Sequence, residues 1–380
     1  MTFHWFLPTG SDGATLITGT RAVHGPGHDT TAAPGAGRHR APDLRYLAQI
    51  ARAAEQMGFD AILTPAGTFN EEAWITCAAL TQHTERLRFL VAQRPDSISP
   101  TLAAQMAATF QRHSRGRLLL NVVTGGDPAE QARFGDLLDK AARYERTDEW
   151  LTVLRGALAP EPFDHAGAHY DVRGATVFSP PDPLPGVYFG GSSDQALPIA
   201  ARHADVYLTW GEPPAAVAAK LERVRTLAAE QGRRVRFGIR FHVVARDTSE
   251  QAWAAAERLL TGIDPAHVAR VQATLAAGES TGQARQSALH ADFRGSGRAA
   301  DLQVYPNVWA GVGLLRGGAG TALVGSHREV ADRITEYAAL GIEEFILSGF
   351  PHLEEAYEVG EGVLPLLGAG AGTGCAAVAR

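Results

Sequence analysis

A helix that ends at a glycine and runs straight into a short apolar strand occurs near both ends of this chain, and that repeated unit constrains the fold more than any other feature. Leu44, Leu47, Ile50, Ala51, Ala54 and Met57 recur at helical spacing and stop at Gly58, after which Phe59-Asp60 leads into the strand-like run 61–64. Glycine suits that stop because the position after a helix commonly needs a left-handed backbone. Near the other end, Ser326-His327-Arg328-Glu329 has the form of a capping box; Val330, Ile334, Tyr337 and Ala338 share one helical face, and Gly341 precedes the run 345–347. Between them lie strand-like runs at 87–93, 118–123, 187–190, 206–209 and 237–244, separated by helical stretches such as 99–113, 195–204 and 213–231. With the opening run 3–7 this makes eight strands alternating with helices, the arithmetic of an α/β (β/α)₈ TIM barrel. Such barrels usually take roughly 250 residues, so a chain of 380 has room for insertions.

The most informative strand is 236–247, R-F-G-I-R-F-H-V-V-A-R-D. Strand side chains repeat every two residues, so Phe237, Ile239, Phe241 and Val243 share one side while Arg236, Gly238, Arg240 and His242 share the other. In a barrel the apolar side would pack under helices and the polar side would line something wet or ligand-filled; the plain alternative is an edge strand with solvated charges. Two insertions are expected, 158–185, rich in Pro, Asp, Gly and His, and 262–305, which carries helical fragments and no clear strand. The second follows the Arg240/His242 strand, on the side where barrel sites lie, and reads as a lid or as an ordered helical excursion. Residues 1–367 then form one domain, and the Ala/Gly-rich tail 368–380 is expected to fray. A doubly wound open sheet would announce itself by G-x-G-x-x-G after the first strand; Gly311-Val312-Gly313 is a weak match in the wrong place.

Composition excludes several classes. Net charge −6 and a pI near 6.2 argue against a nucleic-acid partner, which would call for a basic stripe. Two cysteines, Cys77 and Cys375, far apart and outside any zinc spacing, point to a reducing compartment and no metal site. The amino terminus lacks a basic segment with a long apolar core, and no apolar run approaches the roughly 20 residues of a membrane span. A cytoplasmic location away from membranes is the expectation.

Barrel chemistry sits at the carboxyl ends of the strands. The run Gly190-Gly191-Ser192-Ser193-Asp194 stands out there: glycine permits close backbone approach, two hydroxyls can donate, and a helix follows at once, offering amides to an anion. A phosphate would fit, and a simple helix cap is the alternative. Trp210, Arg240, His242, Arg316 and His352 add cations and a flat apolar wall at other strand ends. The guanidinium fork suits sulfonate, phosphate or carboxylate. No Ser-His-Asp spacing, H-E-x-x-H or pair of catalytic carboxylates competes.

The runs W-F-L-P-T, R-P-D-S-I-S-P-T, N-V-V-T-G-G-D-P, Y-F-G-G-S-S-D, D-V-Y-L-T-W-G-E-P-P, R-F-G-I-R-F-H, N-V-W-A-G-V-G-L-L-R-G-G-A-G-T-A-L-V-G and L-S-G-F-P-H-L-E-E-A-Y, in order from residue 3 to 367, closely resemble the alkanesulfonate monooxygenases of the bacterial-luciferase-like flavin family. The resemblance implies a (β/α)₈ barrel in a two-component system. Reduced FMN (FMNH2) comes from a separate NAD(P)H:FMN reductase, O2 is the co-substrate, and an organosulfonate yields sulfite and an aldehyde. It also implies a homotetramer or homodimer. Residue by residue, it implies that Gly191, Ser192 and Ser193, with Tyr144, hold the FMN phosphate, that Asn121 and Thr124 face the isoalloxazine, that Arg240, Arg316 and Trp210 surround the sulfonate, and that His242 and His352 are active-site histidines.

Four positions depart from that pattern. Asn70 stands where the family has cysteine, Phe350 where it has tyrosine, Gly10 where it has histidine, and a first-loop glutamate finds no counterpart near Gly19. Phe350 removes a hydroxyl that could donate. Asn70 and Phe350 are therefore read as substrate-side residues, and three other functions stay in view: a luciferase-like flavin monooxygenase with a different substrate, a deazaflavin-dependent oxidoreductase on the same barrel, and a flavin-binding protein without turnover.

Overall fold

The computed structural model describes residues 1–19, 39–293 and 298–369. Among these it contains thirteen strands: β1 (Thr2–Phe6), β2 (Ala61–Thr64), β3 (Arg88–Gln93), β4 (Leu118–Val122), β5 (Phe163–Ala166), β6 (Asp171–Ala175), β7 (Gly186–Gly190), β8 (Val206–Trp210), β9 (Arg236–Arg246), β10 (Gln303–Tyr305), β11 (Val308–Trp309), β12 (Ala322–Ser326) and β13 (Glu344–Ser348). Parallel pairing runs β1-β2-β3-β4-β7-β8-β9-β13 and back to β1, closing an eight-stranded barrel. The eight expected strands are these eight, with ends shifted by a residue or two.

The termini of the helices follow from local chemistry. Asp43 caps Leu44–Gln56 by accepting from the Tyr46 amide, and Gly58 beyond it takes φ 85°. Ser326 and Glu329 cap His327–Ala339 reciprocally, as the sequence pattern predicts, and Gly341 takes φ 102°. The apolar side of β9, namely Phe237, Ile239, Phe241 and Val243, is buried in the layer between barrel and helices, together with Trp5, Phe89, Trp150 and Tyr337. A second set fills the barrel interior: Phe6, Ala61, Leu63, Leu90, Leu119, Tyr188, Val206 and Ile346. β9 is no edge strand, since β8 and β13 flank it.

Strand β9 outlasts β8, and this extension shapes the site. The Arg240 carbonyl accepts from Gly211 just beyond β8, whereas two residues later the His242 amide donates to Thr321. Residues along one edge of a parallel strand alternate, so both bonds lie on the same edge and β12 takes over where β8 stops. β12 pairs with residues 242–246, and β11 and β10 add an antiparallel fringe. The expectation of no strand in 262–305 is thereby corrected: β10 lies at its end, and β11 and β12 follow. Short apolar runs among glycines carry too little periodicity to announce such strands. The insertion 158–185 holds the hairpin β5–β6. Within 262–305 lie two ordered helices, Pro265–Ala276 and Thr281–Ala288. The Gly/Ser/Arg stretch 294–297, the first-loop segment 20–38 and the tail from 370 onward lie outside the described residues. No helix among the described residues is long and apolar enough to cross a membrane, and no metal-binding cluster is found among them.

The amino-terminal mouth of the barrel is closed by charge. Glu344, 1% exposed, accepts from Tyr188 Oη at 2.8 Å, lies 2.9 Å from His4 Nε2 and pairs with Arg236. Burial alone would raise its pKa, but the His4 and Tyr188 hydrogen bonds and the Arg236 charge outweigh that and hold it below the usual glutamate value. A depressed folded pKa contributes stability that is present above the unfolded pKa and lost as pH falls through the folded value. Glu344→Gln should therefore destabilise the protein by about 3 kcal/mol at pH 7. The gap to the wild-type should close as pH falls through that depressed folded value, and denaturant unfolding at pH 7 and in steps down to pH 2 measures both.

Candidate active site

A cavity of about 320 Å³ opens at the carboxyl ends of the strands, within the range of small-molecule sites. Its floor is the top of the barrel interior: Phe6, Leu63, Leu208 and Ile346. Of the residues singled out from the sequence, Asn121, Thr124, Tyr144, Gly191, Ser192, Ser193, Trp210, Arg240 and Arg316 all line it. His242, His352, Asn70 and Phe350 do not.

One end of the cavity is built by the turn after β7. A side-chain Cβ at Gly191 would come within 2.6 Å of the Ala196 Cβ, so only glycine lets this turn lie against the following helix. Tyr207 Oη donates to the Gly191 carbonyl at 2.6 Å and fixes the turn from beneath. Ser193 Oγ accepts from the Ala196 amide at 3.3 Å at the start of Ala196–His203 and lines the cavity, although the N-cap position itself is Gln195, which makes no side-chain cap bond. Tyr144, on the helix Lys140–Ala157, places its hydroxyl beside this turn, where burial raises its pKa and Ser193 partly offsets the rise. Thr124 Oγ1 lies 3.2 Å from Thr147 Oγ1, and Gln131 Nε2 donates to its carbonyl.

The other end is cationic. Arg240 and Arg316 share a single phenyl ring: their guanidinium carbons lie 4.0 and 5.2 Å from the centre of Phe6. Arg240 is 8% exposed, its Nη2 reaches Ser348 Oγ at 3.5 Å, and its Nη1 is buried with no partner. Among the described residues neither arginine makes an ion pair. Burial and the neighbouring Arg316 push the Arg240 pKa well down; burial pushes that of Arg316 down to about 10, against the pull of Asp12. Two buried like charges side by side are each better accommodated when an opposite charge faces them.

The roof comes from the second insertion. Gln283 Oε1 accepts from the Gly318 amide and Gln286 Oε1 from the Gly320 amide, while Gln286 Nε2 donates to the Gly211 carbonyl. Arg285 clasps Glu212, which also holds Lys220 at 2.7 Å. Glu279 pairs with Arg143 at 2.5 Å, and Lys140 donates to its carbonyl. A Cβ at Gly282 would lie 3.0 Å from the Trp210 ring, so the roof sits against the indole. Sequence reading missed Arg143, Lys140, Glu279 and Glu212, because each is a single charge on a helix or loop whose partner lies far along the chain.

Three of the four remaining residues, His242, Phe350 and His352, form a layer behind the cavity, and Asn70 lies apart from them. His242, 1% exposed, stacks on Phe350 with ring centres 5.2 Å apart, and its Nδ1 and Nε2 meet Ser348 Oγ and the Ala319 carbonyl. His352, fully buried, lies between Phe350 and Phe6 and is bound to Asp12, a residue sequence reading also missed. Asn70 Oδ1 accepts from Thr9 Oγ1 at 3.2 Å.

Comparison with solved structures gives the same architecture. A riboflavin lyase solved with modified FMN and riboflavin superposes with a TM-score of 0.75 at 20% identity, covering 98% of this chain and 92% of that one. The EDTA monooxygenase of Chelativorans sp. BNC1 gives 0.71 at 19%, covering 97% and 93%. An F420-dependent secondary alcohol dehydrogenase gives 0.63 at 17%, covering 85% and 94%. At these identities the likeness is one of fold. A family model described as luciferase-like monooxygenase matches residues 1–344, nearly the whole barrel, and this chain is a member of that family of oxidoreductases.

Proposed function

We propose that this protein is a two-component monooxygenase that takes reduced FMN from a separate NAD(P)H:FMN reductase and uses O2 to cleave the C–S bond of an organosulfonate, giving sulfite and an aldehyde. The observation that carries the reading is the pair Arg240 and Arg316, set on Phe6 at one end of a cavity whose other end is the G-G-S-S turn, with no carboxylate among the described residues in contact with either guanidinium. An oxyanion at one end and a phosphate at the other are what those donors suit.

The residues fit the cofactor. Glycine at 191 lets the turn pack against the following helix, and the Ser192, Ser193 and Tyr144 residues that line the cavity beside it supply hydroxyl donors. Lys140 and Arg143 add positive charge, and the Arg143 Nε is buried without a partner. Asn121 and Thr124 stand at the end of β4, between the two ends of the cavity, where they would face the flavin ring. Bound reduced FMN supplies the electrons for oxygen activation. The chain's own part is to seat the anion on Arg240 and Arg316, hold the flat substrate wall with Trp210, and exclude water beneath residues 279–282. His242, His352 and Phe350 act from behind that surface and set its charge and shape rather than touching the anion. A deazaflavin-dependent hydride transfer is the second reading, supported by the likeness of the barrel to an F420-dependent alcohol dehydrogenase. Association into a homodimer or homotetramer belongs to the proposal as well.

A screen of sulfonates for sulfite release, with reduced FMN and O2, tests the reading: sulfite with at least one of them is expected, and turnover with F420 but not FMN would favour hydride transfer. Arg240→Ala and Arg316→Ala should each lower kcat/KM for the sulfonate by about 2–5 kcal/mol, thirtyfold or more, while FMN affinity stays within a factor of about two. Tyr144→Phe and Ser192→Ala should do the reverse. Each should weaken FMN binding about tenfold in a fluorescence titration, with little change in anion affinity.

A further inference from the structure

The two histidines behind the arginines differ in what their rings have left to offer. His242 is spent. Its Nε2 faces a carbonyl, which only accepts, so Nε2 carries the proton and donates to Ala319 at 3.2 Å; Nδ1 is then the acceptor for the Ser348 hydroxyl at 2.9 Å. His352 is not. Its Nδ1 lies 2.9 Å from Asp12 Oδ1, and a carboxylate only accepts, so Nδ1 carries the proton and Nε2 is left as a bare lone pair. That Nε2 is buried with no partner, on a ring 5.6 Å from the Phe6 ring that carries both guanidinium groups.

Asp12 is held from every side. Oδ1 also accepts from the Gly13 amide at 2.8 Å, and Oδ2 accepts from the His352 amide at 2.9 Å and from Tyr46 Oη at 2.6 Å. Arg40 donates to Tyr46 at 3.0 Å and is itself clasped by Glu354, and the Asp12 and Arg40 backbones pair as an isolated bridge. The His352 ring and amide, the Gly13 amide and Tyr46 Oη all donate to the Asp12 carboxylate, which keeps it ionised although it is 1% exposed. Charges facing His352 are therefore Asp12 on one side and Arg240, Arg316 and the His242 ring on the other. On its own helix Glu354 is turned to Arg40 and Glu355 to Arg246.

We propose that Asp12 is a positioning residue that holds His352 with Nε2 as the proton acceptor of the anion site, so that an oxyanion seated between Arg240 and Arg316 is taken up together with a proton. This rests on the reading of that arginine pair as an oxyanion site. Without the anion, burial and the two arginines keep the ring neutral against the pull of Asp12. A negative charge placed between those arginines cancels their repulsion of an imidazolium, so that burial alone still opposes the attraction of Asp12 and the His352 pKa rises. Proton uptake then fills the window between the free and the bound pKa of His352. Within it, affinity falls by up to about tenfold per pH unit as pH rises.

The test is calorimetric titration of the flavin-free protein with 1-octanesulfonate, and with sulfate as a second probe, in buffers of different ionisation enthalpy from pH 5 to pH 8, beside NMR titration of His352. The wild-type should take up a substantial fraction of a proton on binding, and His352→Gln should bind with none. Asp12→Asn should lower the His352 pKa and abolish uptake. Tyr46→Phe should raise that pKa, because the Asp12 carboxylate loses a donor that shares its charge; this opposite sign is one that mere loosening of the structure would not produce, and it keeps the test intact should Asp12→Asn fail to fold. Binding without proton uptake, or with uptake unchanged in His352→Gln, overturns the proposal while leaving the arginine site standing. Failure of both anions to bind overturns the arginine site and the proposal with it.

Discussion

Two guanidinium groups against one phenyl ring, with no carboxylate among the described residues in contact, are an expensive thing to bury, and the surrounding structure is arranged to keep them there. Arg240 is held because β9 is paired on both edges, which fixes the strand and sets its side chain on the face that lines the cavity. Arg316 is held because residues 313–320 are pinned by Gln272, Gln283 and Gln286 from the roof helices. Phe6, on β1, offers its face to both, and that attraction recovers part of what desolvation takes away. Asp12 sits close enough to be felt by Arg316 but gives both of its oxygens to other donors. The charge stays uncompensated by any contact, which is the condition a site for an anion needs.

The extension of β9 past β8 is the device that makes this possible. Had β8 continued alongside, the edge beyond Arg240 would be filled by another barrel strand. Because Thr321 and β12 take that edge, the chain enters from the roof side, and Arg316 and the glycines 317 and 318 arrive at the cavity just before it. One strand thus carries the first arginine on its polar side and fixes the path of the segment that brings the second. The roof is tied to the barrel by charge at Arg285–Glu212 and to the helix Lys140–Ala157 by Arg143–Glu279.

Much of this could be read from the sequence. The eight barrel strands repeat a local pattern of helix, glycine and apolar run, and the alternation in β9 separates an apolar from a cationic side without reference to anything distant. The G-G-S-S turn also reads locally, since its glycine is required by the helix that follows at once. β12 escaped because a five-residue apolar run among glycines has no period to distinguish it. Asp12 escaped for a different reason: it is one acid in a polar loop, and its partner His352 lies 340 positions further on. The histidines were legible as residues near the site but not as residues behind it, because burial depth at a strand end depends on which side chains close over it.

The departures at Phe350 and Asn70 acquire a physical meaning in this setting. Phe350 stacks on His242 at an interplanar angle of 15° and meets His352 edge-on, so its ring separates two imidazoles that would otherwise share a polar pocket. A hydroxyl on that ring would need a partner in a buried layer where Ser348 is already engaged with His242 and Arg240. Without it, the layer between the two histidines stays apolar, and each ring is governed by its own nearest acceptor: Ala319 for His242 and Asp12 for His352. The consequence is electrostatic. The only proton-accepting nitrogen left bare among the groups in that layer is the one that Asp12 orients, and the Arg240 and Arg316 charges act on it through a medium that screens them poorly.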